Sequence, residues 1–268
     1  MNKVLIEKQE GICVITFNRI ESYNAFDLET LEILVSTLRN IRLDEQIYGI
    51  LITGNGKAFC TGGDLRWVSS QSDGIELALY NLAAFFHQAI YEIKKMPKPV
   101  VAAINGVTSG GGFALALACD FRFMERSALL KQGYTSNGLS IDGGLSFTLP
   151  RIVGIQRAME ILALDPKIGA DQALSWGLVN YVVEDGESKK EALEFLKTFK
   201  ERSVDSFAAS KELLHQSFLL PFEVVLERER ELLSRCGGSP NGQEGIKAFL
   251  EKRPAKYNRD KGFMGKAD

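Results

Sequence analysis

The residue types with most chemistry to offer in this chain are two glycine turns and a lone acid: Thr61-Gly62-Gly63-Asp64, Ser109-Gly110-Gly111-Gly112, and Asp142 on a third Gly-rich turn. Each of the first two follows an apolar, β-branched run. Glycine lets backbone approach a ligand closely and lets N–H groups point outward at strained turns. Two such N–H groups aimed at one oxygen would stabilise an enolate, and one carboxylate would move the proton that creates it. Taken alone, the first turn reads better as a tight turn with Asp64 as helix N-cap. At the second, a Gly111 N–H strengthened by a helix dipole competes evenly with close packing of helix on sheet. An Asp before Gly-Gly is, by itself, as often a cap as a catalyst.

His87 lies on an apolar helical pattern, Leu82 to Ile93, where a lone histidine more often packs than reacts. His215 reads as structural. Phe85, Phe86, Phe113, Trp67 and Phe147 fit the wall of an apolar pocket, although most aromatics at such spacing are core.

The elements that must position these groups alternate. Gly11 to Phe17 and Tyr48 to Thr53 read as strands, with a helix from Asp27 to Arg42 between them and Asp27 as its N-cap. A helix from about Glu76 to Lys94 stops at Met96-Pro97-Lys98-Pro99, and the nearly all-apolar Val100 to Ile104 is a strand buried on both faces. Gly112 to Cys119 is a short helix and Phe121 to Phe123 a strand. Leu145 to Leu149 and Ile155 to Leu164 read as two helices split by Pro150-Arg151. After Val183 only helices follow: Ser188 to Arg202, Ser206 to Gln216, Pro221 to Arg235 and Gln243 to Lys252. The class is α/β with a helical tail. The tail's apolar stripe (Phe218, Leu219, Phe222, Val225, Leu226, Leu232) is expected to face its own core by default, with a subunit contact as the alternative.

Composition bounds the function. The chain has 268 residues, 45% hydrophobic and 25% charged, which suits one globular domain or a domain with an appendage. A net charge of −2 with interspersed signs offers no face for nucleic acid, and no apolar run nears the ~20 residues that span a bilayer. A small molecule is the expected partner. Met1-Asn2-Lys3-Val4 leads straight into a strand-like segment without a signal-peptide pattern. Cys13, Cys60, Cys119 and Cys236 have no disulfide or metal spacing, so reduced thiols in a cytoplasm are expected.

Several blocks together resemble the crotonase (enoyl-CoA hydratase/isomerase) superfamily. They are Phe17-Asn18-Arg19, Asn24-Ala25-Phe26, Ala58 to Leu65, Pro97 to Gly106, Gly110-Gly111-Gly112, Ala118-Cys119-Asp120, Pro150 to Gly154, Trp176 to Val179, and the tail from Gln243 to Arg253. The resemblance implies a spiral of ββα units over residues 1–200 and a C-terminal helical trimerisation region over 201–268. It also implies an acyl-CoA thioester as substrate and a homotrimer or dimer of trimers. No metal or redox cofactor is implied; coenzyme A enters as part of the substrate.

Carried over by position, Gly63 and Gly111 match the two backbone donors that hold the thioester oxygen. Ala25 and the stretch Cys60, Thr61, Gly62, Asp64, Leu65, with Gly110, match where relatives hold CoA, and Lys252 matches a tail position that approaches the CoA of a neighbouring subunit. The two glutamates of the hydratases are absent: Ala114 and Tyr134 stand there. Asp142 matches instead the aspartate of isomerase-like members, 4-chlorobenzoyl-CoA dehalogenases and naphthoate ring-forming synthases. His87 and Tyr134 match the dehalogenases' general base and an aromatic group near their aspartate. The expectation is an enoyl-CoA isomerase or hydratase/isomerase in which Asp142 shuttles a proton. The alternatives are a dehalogenase-like or ring-forming enzyme using Asp142, or an acyl-CoA binder without catalysis.

Overall fold

The computed structural model describes residues 2–257, so the last part of the expected 201–268 tail region lies outside the described residues. The chain opens with a hairpin, β1 (Val4–Gln9) and β2 (Ile12–Phe17), followed by α1 (Leu28–Leu43) and β3 (Gly49–Gly54). Next come β4 (Ala58–Cys60), α2 (Leu65–Ser69), α3 (Ile75–Lys95), β5 (Val100–Ile104), β6 (Val107–Ser109) and α4 (Gly111–Ala118). The middle holds β7 (Phe121–Glu125), β8 (Leu129–Lys131), α5 (Leu145–Leu164), β9 (Ile168–Gly169), α6 (Ala170–Ser175) and β10 (Tyr181–Val183). Four helices close it: α7 (Ser188–Lys197), α8 (Val204–Gln216), α9 (Phe222–Gly238) and α10 (Pro240–Leu250).

Two sheets result. The larger has the order β1-β2-β3-β5-β7-β10, parallel except for β1. Every residue of β2, β3 and β5 is buried, which is why these strands are continuous apolar runs rather than alternating ones. One face packs against α1, α3, α4 and α5 as the main core, and the other against α7 and the residues after it, through Ala192, Leu196 and Phe199. The smaller sheet has the order β4-β6-β8-β9, with β4, β6 and β8 parallel. Its strands hold two or three residues each, too few for a periodic signal.

The α/β class and the helical tail are as expected, and Asp27 caps α1 by accepting from the Thr30 N–H at 3.0 Å. Two expectations need correction. Pro150-Arg151 does not split the helix after Asp142; α5 runs through Pro150, and the break is at Gly154, with φ 76 and ψ 158, angles that only glycine adopts without strain. The tail's apolar stripe does not turn inward either. Leu232 is buried, but Phe218 and Phe222 are each 70% exposed, and Leu219 and Leu226 are exposed too. Among the described residues no helix is long and apolar enough to cross a membrane.

Candidate active site

The three loops that carry the candidate residues leave the same end of the small sheet. Strand β4 runs into Thr61-Gly62-Gly63, β6 into Gly110-Gly111, and β8 into Gln132-Gly133-Tyr134. Parallel strands deliver successive loops to their carboxyl ends, the usual place for a ligand in such a sheet.

The first two turns abut. Gly62 has φ +88, and a Cβ built on it would lie 2.5 Å from the Gly111 nitrogen, so no side chain fits between them. Phe26 laces the first turn to the segment after Ala25: its N–H donates to the Gly62 carbonyl at 2.8 Å, and its carbonyl accepts from the Asp64 N–H at 2.9 Å. That pairing turns the Gly63 N–H away from Phe26. Gly111 opens α4, where first-turn N–H groups have no helical acceptor. Among the described residues neither N–H donates a hydrogen bond.

Asp142 is no cap. The N-cap of α5 is Gly144, and the Asp142 carboxylate meets the imidazole of His87 instead, Oδ1 to Nε2 at 2.5 Å. The His87 side chain is 56% exposed and that of Asp142 32%, so the pair borders solvent. Gly143 fixes the acid's loop: it has φ +61, and a Cβ on it would come within 2.2 Å of the Phe86 ring and 3.0 Å of Ala114 Cβ. Phe86 in turn stacks on Phe26, with centroids 4.8 Å apart, and a Cβ on Gly111 would strike the Phe26 ring at 2.5 Å. The Phe26–Phe86 stack is therefore the solid floor between the glycine turns and the acid.

Tyr134 completes the group. Burial first, then the Asp142 charge, pushes its phenol well above the ordinary range, so it stays protonated. Its loop is held from below by Gln132, fully buried, whose Oε1 accepts from the Tyr134 N–H at 3.0 Å.

The remaining expected residues divide. Asp64 is a cap, its Oδ1 accepting from the Arg66 and Trp67 N–H groups at 3.0 and 3.2 Å. Cys60 is fully buried and its thiol is pushed up to about 12 by that burial, so its side chain faces the interior and offers a ligand only backbone. Ala25 is buried, Leu65 is exposed, and Thr61 donates its hydroxyl to the Tyr23 carbonyl at 3.2 Å. Lys252 lies exposed just past α10, where its ammonium pairs with no acid of the described residues. Phe86 and Phe113 are core, while Phe85, Trp67 and Phe147 are half-buried.

One organising residue has no role in the sequence reading. Arg19 donates to the Ala25 carbonyl at 2.5 Å and to Asp64 Oδ2 at 2.8 Å, joining the two stretches matched to CoA. The sequence carries no local signal for this role, since Asp64 lies 45 residues away along the chain. Among the described residues no group of three or more His, Cys, Asp or Glu is arranged to hold a metal ion.

A profile of the enoyl-CoA hydratase/isomerase family matches residues 7–260. The 1,2-epoxyphenylacetyl-CoA isomerase of Escherichia coli (strain K12) is 30% identical over 259 residues, covering 96% of this chain and 98% of that protein. The 4-chlorobenzoyl coenzyme A dehalogenase-2 of Arthrobacter sp is 29% identical over 250 residues, covering 93% and 91%. The crystal structure of an enoyl-CoA hydratase from Bacillus anthracis superposes with a TM-score of 0.90 at 28% identity, covering 97% of this chain and 100% of that one. Parallel-sheet units closed by C-terminal helices are thus shared across the whole chain. The chain belongs to the enoyl-CoA hydratase/isomerase family of the crotonase superfamily and is an enzyme of that acyl-CoA-transforming family.

Proposed function

We propose that the enzyme is an enoyl-CoA isomerase or hydratase/isomerase that works through a thioester enolate. The Gly63 and Gly111 N–H groups hold the thioester oxygen and take up its charge as the enolate forms. Asp142 removes a proton at one carbon and returns it at another, as one carboxylate can. His87 holds one carboxylate oxygen and leaves the other for the substrate. The protonated Tyr134 phenol donates toward the acid or an intervening water. The observation that carries this reading is the His87–Asp142 contact beside two N–H groups that donate to no acceptor among the described residues. Two-glutamate hydration is not proposed, since Ala114 and Tyr134 supply no carboxylate.

This proton transfer calls on no metal or redox group; coenzyme A arrives with the substrate. Ala25, Thr61, Gly62, Leu65 and Gly110 border the proposed CoA site, with Lys252 reaching it from a neighbouring subunit. We take the exposed stripe of the tail as the contact of a homotrimer or dimer of trimers. Four free cysteines fit a cytoplasmic setting.

A dehalogenase-like reaction is the second reading, favoured by the same contact. There Asp142 attacks an aryl carbon, halide leaves, and water deprotonated by His87 hydrolyses the aryl ester. A panel of enoyl-, 3-hydroxyacyl- and haloaryl-CoA thioesters tests both, scored for double-bond migration and halide release beside calorimetric binding. Asp142→Asn should lower turnover by about 10²–10⁴-fold while thioester binding survives. Near-wild-type turnover would remove Asp142 from its assigned role. Binding heat without any product would favour a non-catalytic acyl-CoA binder.

A further inference from the structure

The Tyr134 turn is tied to the far end of the helix whose near end carries the Asp142 loop. Asp165 is the C-cap of α5 and sits in the left-handed region, φ 44 and ψ 51, which costs a non-glycine residue energy unless its surroundings impose it. That conformation turns its carboxylate back toward β8. Oδ1 accepts from the Gly133 N–H at 2.9 Å, Lys131 Nζ lies 3.2 Å from Oδ2, and the side chain is 6% exposed.

Burial alone would raise this carboxyl. The Gly133 N–H, Ser136 and Lys131 outweigh it and hold the group below the usual carboxylate range, so it is a charged acceptor.

The turn it grips has no slack. Gly133 has φ +66, and a Cβ there would meet Ser109 Oγ at 2.3 Å and the Gly110 nitrogen at 3.2 Å. The Gly110 N–H itself donates to the Lys131 carbonyl at 3.2 Å. On the other side the Tyr134 carbonyl accepts from the Leu139 N–H at 3.0 Å, three residues before Asp142. One carboxylate thus holds a segment that abuts the second glycine turn, carries the phenol and leads into the acid's loop.

We propose that Asp165 is a positioning residue, which through the Gly133 N–H and Lys131 sets the depth of the Tyr134 phenol at the proposed site. The inference rests on the reading in which Tyr134 works beside Asp142. Asp165 touches no reacting atom; its effect passes through the turn.

The test uses Asp165→Ala and Asp165→Asn, each alone and combined with Tyr134→Phe. Asp165→Ala should lower kcat by about 10- to 100-fold, the cost of a small misplacement at a reacting site, with KM changed less than about twofold. Asp165→Asn should recover most of that loss, because its amide oxygen still accepts from Gly133. In the Tyr134→Phe background Asp165→Ala should cost less than about twofold more, since residues acting as a unit are not additive. Equal losses in both backgrounds would make Asp165 a general stabiliser and overturn the proposal.

A second readout needs no turnover. Hydrogen exchange of the amides from Gly133 to Leu139 should quicken in Asp165→Ala and stay slow in Asp165→Asn, with exchange in the remote β1–β2 hairpin unchanged in both. Unchanged exchange at this turn in Asp165→Ala overturns the proposal, whereas wild-type enzyme that turns over no thioester, with exchange that does quicken, overturns only the proposed reaction. Should Asp165→Ala not fold, Lys131→Met takes its place. A smaller fall in kcat with a smaller rise in exchange is then expected, and wild-type values in both readouts count against the role.

Discussion

His87 Nε2 and Asp142 Oδ1 lie 2.5 Å apart although 55 residues separate them in the chain. The contact is made by α3 and the loop before α5, and Gly143 seats that loop against Phe86, the residue preceding His87. Acid and imidazole are therefore held by one packed junction.

His87→Gln separates the two chemical readings. If Asp142 shuttles a proton and His87 only orients it, double-bond migration should fall by about 10- to 100-fold. If His87 must deprotonate a water, halide release from a haloaryl thioester should be lost after a single turnover's worth of covalent adduct. Rapid-quench assays on the two substrates distinguish these outcomes, and an unchanged isomerisation rate would detach His87 from the acid's work.

Gly143→Ala and Gly138→Ala make a matched pair. Both glycines have left-handed backbone, φ +61 and +71, but a Cβ on Gly143 meets Phe86 at 2.2 Å while one on Gly138 meets nothing within 4 Å. The Gly138 change should cost about 1 kcal/mol, for backbone conformation alone. The Gly143 change should cost about 2–4 kcal/mol, since overpacking adds to it. Urea denaturation curves measure both; equal costs would show that space at Gly143 is not the constraint.

Arg19→Lys keeps the charge but not the fork that spans Ala25 and Asp64. Loss of a partner for a buried carboxylate and a buried carbonyl should destabilise by about 1–2 kcal/mol. Because Arg19 braces the segments proposed to hold CoA, kcat/KM should fall through KM. A fall carried wholly by kcat would contradict that placement.

The helical tail should loosen first in mild acid. His215 on α8 is pushed down to about 4, by burial first and then by the charges of Lys94, Lys211 and Lys95. Its folded value is below its ordinary value of 6.5, so the unfolded chain binds the extra proton between them. Stability from the neutral ring is complete above about 6.5 and is lost as pH falls toward about 4, by up to about 2 kcal/mol after allowance for partial exposure. Thermal melts of the wild type against His215→Gln across that window should show a flatter profile in the variant; parallel profiles would dismiss the histidine.

Much of the fold was legible because its strands are buried on both faces. Val100 to Ile104 has no polar residue to confuse the reading, and Asp27 announced its helix. The small sheet was not legible, since β4, β6 and β8 have three residues each and borrow their meaning from pairing. Pro150 misled because α5 carries it at its sixth residue, past the first turn where proline is easily tolerated, and loses one N–H without ending there, whereas the Gly154 break has no apolar periodicity to mark it. At the site, Gly63, Gly111 and Asp142 were legible as residue types in turns. The residues that brace the neighbouring turns were not: Arg19 reaches Asp64 across 45 residues and Asp165 reaches Gly133 across 32, and such pairings leave no local pattern.

Cys60 gives the site an electrochemical character as well. It adjoins Thr61-Gly62-Gly63, yet its sulfur is sealed in the wall and its thiol is pushed up to about 12. Thiol exchange needs a thiolate with access to its target. If a thiol-bearing carrier binds at these turns as proposed and arrives in oxidised form, the Cys60 sulfur will not attack it, so the carrier should not become covalently joined to Cys60.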